Sequence, residues 1–109
     1  MSTNLFTKTG NTVTFIANTS APTPIQAVST TLGGNQYRIL NAGSVTVFLG
    51  YGDTAANATS NAAVVSTTGA AIPLLAGTDE ILTFMPNAYF TGITSSSTAS
   101  IYITPGDGA

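Results

Sequence analysis

The stretch Ser44-Val-Thr-Val-Phe-Leu-Gly50 alternates its apolar side chains with a period of two. Val45, Val47 and Leu49 fall on one face of an extended chain, because successive side chains of a strand point to opposite faces. The turn signal Asn41-Ala-Gly43 comes directly before this stretch. The segment therefore predicts a strand with one buried face that is entered through a tight turn.

Similar runs occur on both sides of this strand, and they are rich in β-branched and aromatic residues. They cover residues 12–17, 24–30, 36–41, 62–66, 71–75, 80–85, 88–94 and 99–104. Gly, Pro, Asn or Asp interrupts the chain about every 8 to 12 residues, and a helical period is absent nearly everywhere. This pattern is typical of an antiparallel sandwich. We predict an all-β, single-domain antiparallel β-sandwich or jelly roll of about eight short strands.

Two segments depart from the strand pattern. Residues 1–10 are polar apart from the pair Leu5 and Phe6, which predicts an extended N-terminal arm ahead of a β-sandwich domain over residues 11–109. A frayed terminus fits the same composition equally well. Residues 53–61 predict a loop of small residues with one or two helical turns, because alanine favours a helix.

The composition is poor in charge. Only 6% of the 109 residues are charged and the net charge is −2, whereas soluble domains average about 25% charged residues. Neutral polar residues replace them, with 20 Thr, 10 Ser and 8 Asn. The mean hydropathy is +0.33, but no apolar run approaches the ~20 residues that span a bilayer. The first ten residues lack a secretory signal pattern, so we expect cytoplasmic synthesis.

Several classes of function are disfavoured by this composition. Because the chain has no His and no Cys, it has no imidazole base, no thiol nucleophile, no common zinc ligand and no disulfide. Its two basic residues, Lys8 and Arg38, are too few for nucleic acid or an anionic membrane. We therefore expect no nucleic-acid partner and no membrane partner.

The acidic residues do not form a catalytic or metal-binding pattern. Asp79 and Glu80 are adjacent and point to opposite faces of a strand, Asp107 lies in a terminal turn, and Asp53 follows a glycine where it caps or turns the chain. Paired carboxylates for glycoside hydrolysis and the regular spacing of a calcium loop are both missing. We expect no enzymatic activity, no metal and no cofactor.

Arg38 is the most informative single charge, since it lies within a strand between two apolar residues. It is interpreted either as a rim residue whose stem packs while its guanidinium stays in water, or as a paired arginine. The partner in the second interpretation is Asp53, Asp79 or Glu80, within the subunit or across an interface. We give a slight preference to the rim position.

A β-sheet protein with so few charges has little protection against association, because charged residues normally block exposed sheet edges. Interface centres are depleted in charge and enriched in aromatic residues. We therefore expect a surface that other subunits cover, and a homo-oligomer such as a dimer or a trimer. The candidate interface residues are Leu5, Phe6, Lys8, Arg38, Tyr51 and Asp53, with Phe6 as the preferred intersubunit anchor.

Three stretches, 41–53, 81–94 and 99–108, resemble segments of small virion proteins of tailed bacteriophages, of the capsid decoration or cement type. The resemblance covers about the C-terminal two-thirds of the chain and consists of strand and turn patterns. It implies a β-sandwich or jelly-roll subunit of the virion that binds the outer surface of an assembled head and stabilises it. The partner would be the major capsid protein or another virion protein.

Two other functions remain open. One is a receptor- or glycan-binding module of a tail fibre or adhesin, which would use exposed tyrosines. The four tyrosines are Tyr37, Tyr51, Tyr89 and Tyr102, although tyrosine on a strand is more often half-buried packing. The other is a tail or connector component, which shares the all-β architecture and implies ring symmetry.

Overall fold

A computed structural model describes residues 6–29, 34–63 and 71–108 of the chain. The strands are β1 (Thr7–Lys8), β2 (Val13–Ala17), β3 (Ile25–Gln26), β4 (Gln36–Asn41), β5 (Val47–Gly52), β6 (Ile72–Leu74), β7 (Asp79–Thr83), β8 (Tyr89–Ile93) and β9 (Ala99–Asp107). One short helix, α1 (Ala55–Asn61), lies between β5 and β6 in this part of the chain. The prediction of an all-β fold is confirmed.

The strands form two antiparallel sheets that pack face to face. The front sheet has the order β1-β9-β4-β7, with β2 beside β1 on the same edge of β9, and the back sheet has the order β3-β8-β5-β6. One long hairpin accounts for four of the strand pairs, β2·β9, β3·β8, β4·β7 and β5·β6. This hairpin folds on itself, which adds the pairs β4·β9 and β5·β8. This arrangement is a jelly roll of eight strands, with β1 as an additional short strand.

The core lies between the two sheets and is filled by alternate residues of each strand. Tyr37 and Ile39 of β4 face Phe90 and Leu49 of the back sheet, and all four are fully buried. The ring of Tyr37 packs edge-on against Phe90, with a distance of 5.0 Å between ring centroids. The hydroxyl of Tyr37 donates to the carbonyl of Met85 at 2.6 Å. This tyrosine therefore contacts the back sheet through its ring and the connection between β7 and β8 through its hydroxyl.

Tyr37→Phe is expected to lower the free energy of unfolding by about 1–3 kcal/mol, because the change leaves buried backbone groups without a partner. The hydroxyl also accepts the backbone N–H of Ala88 at 3.1 Å. Burial raises the pKa of Tyr37. The stability that depends on the neutral phenol is thus present below about pH 10 and is lost as the pH rises above that value.

Urea unfolding at neutral pH and above pH 10 measures this contribution. Tyr102→Phe is the matched control, since Tyr102 is 41% exposed. We expect a smaller alkaline loss of stability in Tyr37→Phe than in wild type or in Tyr102→Phe. An equal alkaline loss in all three proteins would contradict the assignment to Tyr37.

Helix α1 covers the outer side of the back sheet. Thr54 caps its N-terminus by accepting the backbone N–H of Asn57, and Ala58 is fully buried against the sheet. The helix approaches closely because Gly50 and Gly52 present no side chain: a Cβ on Gly50 would lie 2.6 Å from the backbone N of Ala62. The two glycines of β5 thus provide the seat for α1.

Gly50→Ala is expected to destabilise the fold by about 1–3 kcal/mol, because the added methyl group overpacks this contact. The obstacle is backbone, including the carbonyl of Ala58, so α1 must move away from the sheet. Thermal unfolding measures the effect, and Ser60→Ala on the exposed side of α1 is the control. If both variants unfold at the wild-type temperature, the close contact between Gly50 and α1 is not important for stability.

The described part of the segment between β5 and β6 contains a helix and no strand. The predicted strand over 62–66 is not seen at residues 62 and 63, and the rest of that run lies outside the described residues. The loop predicted over 53–61 contains the seven-residue helix α1, which is about two turns long and agrees with the one or two helical turns expected there.

Candidate interaction surface

Arg38 and Asp79 form a two-point ion pair on the outside of the front sheet. The Nε of Arg38 donates to Oδ1 of Asp79 at 2.9 Å, and its terminal nitrogen donates to Oδ2 at 2.6 Å. Side chains of both residues remain about half exposed, at 50% and 44%. Arg38 is therefore paired within its own chain while still facing solvent, which combines the two interpretations of the sequence.

The pair neutralises the charge of this surface. The hydrogen bond from Arg38 lowers the pKa of Asp79, and the hydrogen bond to Asp79 raises the pKa of Arg38. Both groups thus stay ionised around neutral pH, and the contribution of Asp79 to stability is lost only as the pH falls through its lowered pKa. Because the pair is exposed, its contribution to stability is small. Its main effect is to leave no unpaired charge at the centre of the sheet.

The outward side chains of the front sheet form a continuous surface, called here the front face. Its central members are Thr14, Ile16, Arg38, Leu40, Asp79, Ile81, Tyr102 and Thr104. Ile16 is 59% exposed, Tyr102 41% and Ile81 38%. These are three of the five exposed large hydrophobic residues in the described chain. The front face is thus the main place where apolar side chains reach solvent.

The outer side of the back sheet is different, because the chain covers it. Helix α1 lies over β5, and the hydroxyl of Thr91 on β8 donates to the carbonyl of Pro22 at 2.8 Å. Thr91 is fully buried by these contacts. Among the described residues, no helix or loop covers the front face in this way. The sandwich therefore has one side closed by its own chain and one side open.

Of the predicted interface residues at the N-terminus, Leu5 lies outside the described residues. Phe6 packs on its own chain, since its ring occupies the space where a side chain of Gly106 would stand. Lys8 is exposed in β1, which pairs with β9 through Gly106 and Asp107. The described part of the predicted arm thus runs along the edge of the front sheet. These contacts indicate an intramolecular role for Phe6.

Tyr51 and Asp53 lie away from the front face. The ring of Tyr51 is half-buried on the inner side of β5 and stacks on Phe84 with a centroid distance of 4.5 Å. Asp53 is exposed just before α1, where its Oδ1 accepts a hydrogen bond from the side chain of Asn57 at 2.7 Å. Tyr51 thus contributes to the core and Asp53 to the start of the helix. Of the predicted interface residues, Arg38 lies at the centre of the front face, and Lys8 projects from the same side of the sheet at its β1 edge.

Sequence reasoning did not single out Ile16, and it named Tyr102 only as one of four candidate tyrosines for glycan binding. The alternation in β2 placed Phe15 inside, so the same pattern places Ile16 outside, and an apolar residue at an outward position was the available signal. Tyr102 occupies the corresponding outward position in β9, directly opposite Thr14 and Leu40. Their proximity depends on the pairing of β2 with β9, which joins distant parts of the chain.

The described residues offer few groups for a metal site or a membrane-spanning segment. They contain no group of three or more acidic side chains that would hold a metal ion. None of the helical structure described is long and apolar enough to cross a membrane. The front face is thus the candidate that remains. Comparisons with protein families, with curated proteins and with solved structures found no significant match for the chain.

Proposed function

We propose that this protein is a structural component of a bacteriophage virion, most simply a decoration or cement protein that binds the outside of the head through its front face. The observation that carries the proposal is the asymmetry of the sandwich. One side is closed by α1, whereas the other exposes Ile16, Ile81 and Tyr102 around an internally neutralised ion pair. Exposed apolar side chains in a charge-poor surface are typical of protein–protein interfaces.

The resemblance of the C-terminal two-thirds to small virion proteins supports the same proposal, and so does the jelly-roll topology, which occurs in capsid proteins among other classes. Fold alone does not determine function. The composition of the front face is therefore the stronger support for a role in the virion. Its partner is a protein surface without strong charge, such as the major capsid protein or another virion protein.

The mechanism is stabilisation by selective binding. A subunit that binds the assembled shell and not its dissociated proteins stabilises the shell by mass action, by an amount that grows with its concentration over Kd. No chemical step is required.

Sedimentation with purified heads of the phage that encodes the chain tests the proposal. We expect the protein to co-sediment with heads at a fixed ratio, and heads that lack it to break at a lower temperature. Heads that carry no copy and bind none when it is added would overturn the proposal. Detection of the chain in purified tails alone would favour a tail or connector component.

A glycan-binding module of a tail fibre or adhesin is the second candidate. It is supported by Tyr102, which is exposed beside the hydroxyls of Thr14 and Thr104. The other three tyrosines are buried or half-buried, so a platform of several exposed rings is not formed. Binding on a glycan array that disappears in Tyr102→Ala would favour this candidate over head binding.

A further inference from the structure

We propose that two copies of this chain pair edge to edge through β7, in antiparallel orientation about a two-fold axis at Ile81. The inference does not rest on the proposed function, because it concerns the free edge of the front sheet. β7 bonds to β4 on one side, and no described strand pairs with it on the other. An unpaired strand edge is a template for another strand.

The other edges of the sandwich are less open. β2 bridges to the back sheet through Asn18 and Ile93, and the backbone N–H of Thr94 donates to the carbonyl of Asn18 at 2.9 Å. β1 and β3 have two residues each, and β6 contains Pro73, which lacks a backbone donor. β2 also has five residues, but it continues into the bridge at Asn18, so β7 is the five-residue edge that has no such link among the described residues.

The ladder between β4 and β7 determines which backbone groups point outward. Phe84 donates its N–H to the carbonyl of Asn35, and Asn41 donates its N–H to the carbonyl of Thr78. Hydrogen-bonded pairs alternate along an antiparallel ladder. Glu80 and Leu82 therefore bond to β4, and the N–H and C=O groups of Asp79, Ile81 and Thr83 face away from it.

These outward groups match those of a second copy in one register. When Ile81 lies opposite Ile81 of the other copy, Asp79 lies opposite Thr83, and all three outward positions form hydrogen-bonded pairs. Like charges directly opposite each other would be unfavourable, and this register places none there. Shifting the axis to position 80 would instead place two Glu80 side chains face to face. The sequence of β7 thus favours the register centred on Ile81.

The charges of β7 are compatible with this pairing. Asp79 is already neutralised by Arg38 of its own chain. Glu80 makes no ion pair in the described structure, and in the proposed dimer it lies opposite Leu82 with the second Glu80 diagonally across. Diagonal neighbours are about 7–8 Å apart, so their repulsion weakens the dimer without preventing it. Glu80→Gln should tighten association for this reason.

Cysteine cross-linking tests the register directly, since the natural chain has no cysteine. Ile81→Cys would place two Cα atoms about 5.5 Å apart across the axis, within the range of a disulfide. Thr83→Cys is the matched control on the same strand, because its two Cα atoms would be separated by about 13 Å along the strands. Diamide serves as the oxidant that accepts two electrons and two protons from the thiol pair.

We expect Ile81→Cys to form a covalent dimer at least tenfold faster than Thr83→Cys, and wild type to sediment at twice the 11.0 kDa of one chain at high concentration. Ile81→Pro, which removes an outward N–H and no bond to β4, should remain folded and monomeric. Equal cross-linking rates at the two positions, or a wild-type monomer at millimolar concentration, would overturn the inference. If wild type forms the dimer but does not bind heads, only the proposed function is contradicted.

Discussion

Asn41→Asp is expected to lower the free energy of unfolding by about 4 kcal/mol at pH 7, because it places an unpaired charge in the interior. Asn41 is fully buried, and its side-chain nitrogen donates to the carbonyls of Val45 at 3.0 Å and Leu74 at 2.9 Å. A carboxylate at this position would face these carbonyl oxygens without a proton to donate. The loss is a large fraction of the roughly 5–15 kcal/mol that stabilises a domain.

The stability of Asn41→Asp is expected to change with pH in one direction. Burial among acceptors raises the pKa of the introduced carboxyl above its unfolded value of about 3.9. The variant is thus closest to wild type below that pH, where the protonated group can donate, and it loses stability as the pH rises. Chemical denaturation at several pH values measures the effect. Asn11→Asp, at an exposed position, is the control, and equal stability of the two variants would contradict the role of Asn41.

Replacing Ile16 and Tyr102 together by lysine is expected to weaken binding to phage heads by at least about 100-fold. Loss of a central aromatic anchor typically costs 2 kcal/mol or more, and each 1.4 kcal/mol is a factor of ten in Kd. The two added charges would also be buried without partners. Because Ile16 is 59% and Tyr102 41% exposed, the double variant should keep its stability in solution.

Leu75→Lys is the matched control for this variant. Leu75 is 67% exposed in the turn between β6 and β7, away from the front face. Leu75→Lys introduces one lysine at a comparable apolar position, against two lysines in the double variant, and we expect less than a threefold change in head binding. A loss of binding in Leu75→Lys as large as that in the double variant would show that added charge, rather than the front face, is responsible.

Local patterning predicted the strands well, and the reasons are visible in the structure. Val47 and Leu49 are fully buried as the alternation in β5 requires. The order of the strands was not predictable in the same way, because β9 lies between β2 and β4 through pairings that are distant in the chain. Alternation determines which face of a strand is buried, but it does not determine the neighbouring strand.

The candidate site was predicted only in part, for a related reason. Asp79 was one of three candidate partners for Arg38, and the register of β4 against β7 selects it by placing Asp79 opposite Leu40, diagonally next to Arg38. The exposed position of Ile16 was implicit in the alternation of β2. Its importance became clear only when the pairing placed it on the same face as Tyr102. Contacts between distant strands therefore supplied what local pattern could not.

The seat of α1 is a second feature that local pattern missed. Gly50 and Gly52 read as ordinary strand and turn residues, although they make room for the helix. This packing covers the back sheet and leaves the front face as the open side. The asymmetry on which the proposed function depends thus comes from two small residues in the strand that first indicated the fold.

A reconstruction of the phage head with its bound proteins would show which side of this chain lies against the shell. We expect copies of this chain on the outer surface of the shell, with Ile16, Arg38 and Tyr102 against the shell protein and helix α1 facing outward. A head that carries the chain with α1 against the shell and the front face in solvent would contradict the account, as would a complete head surface without it.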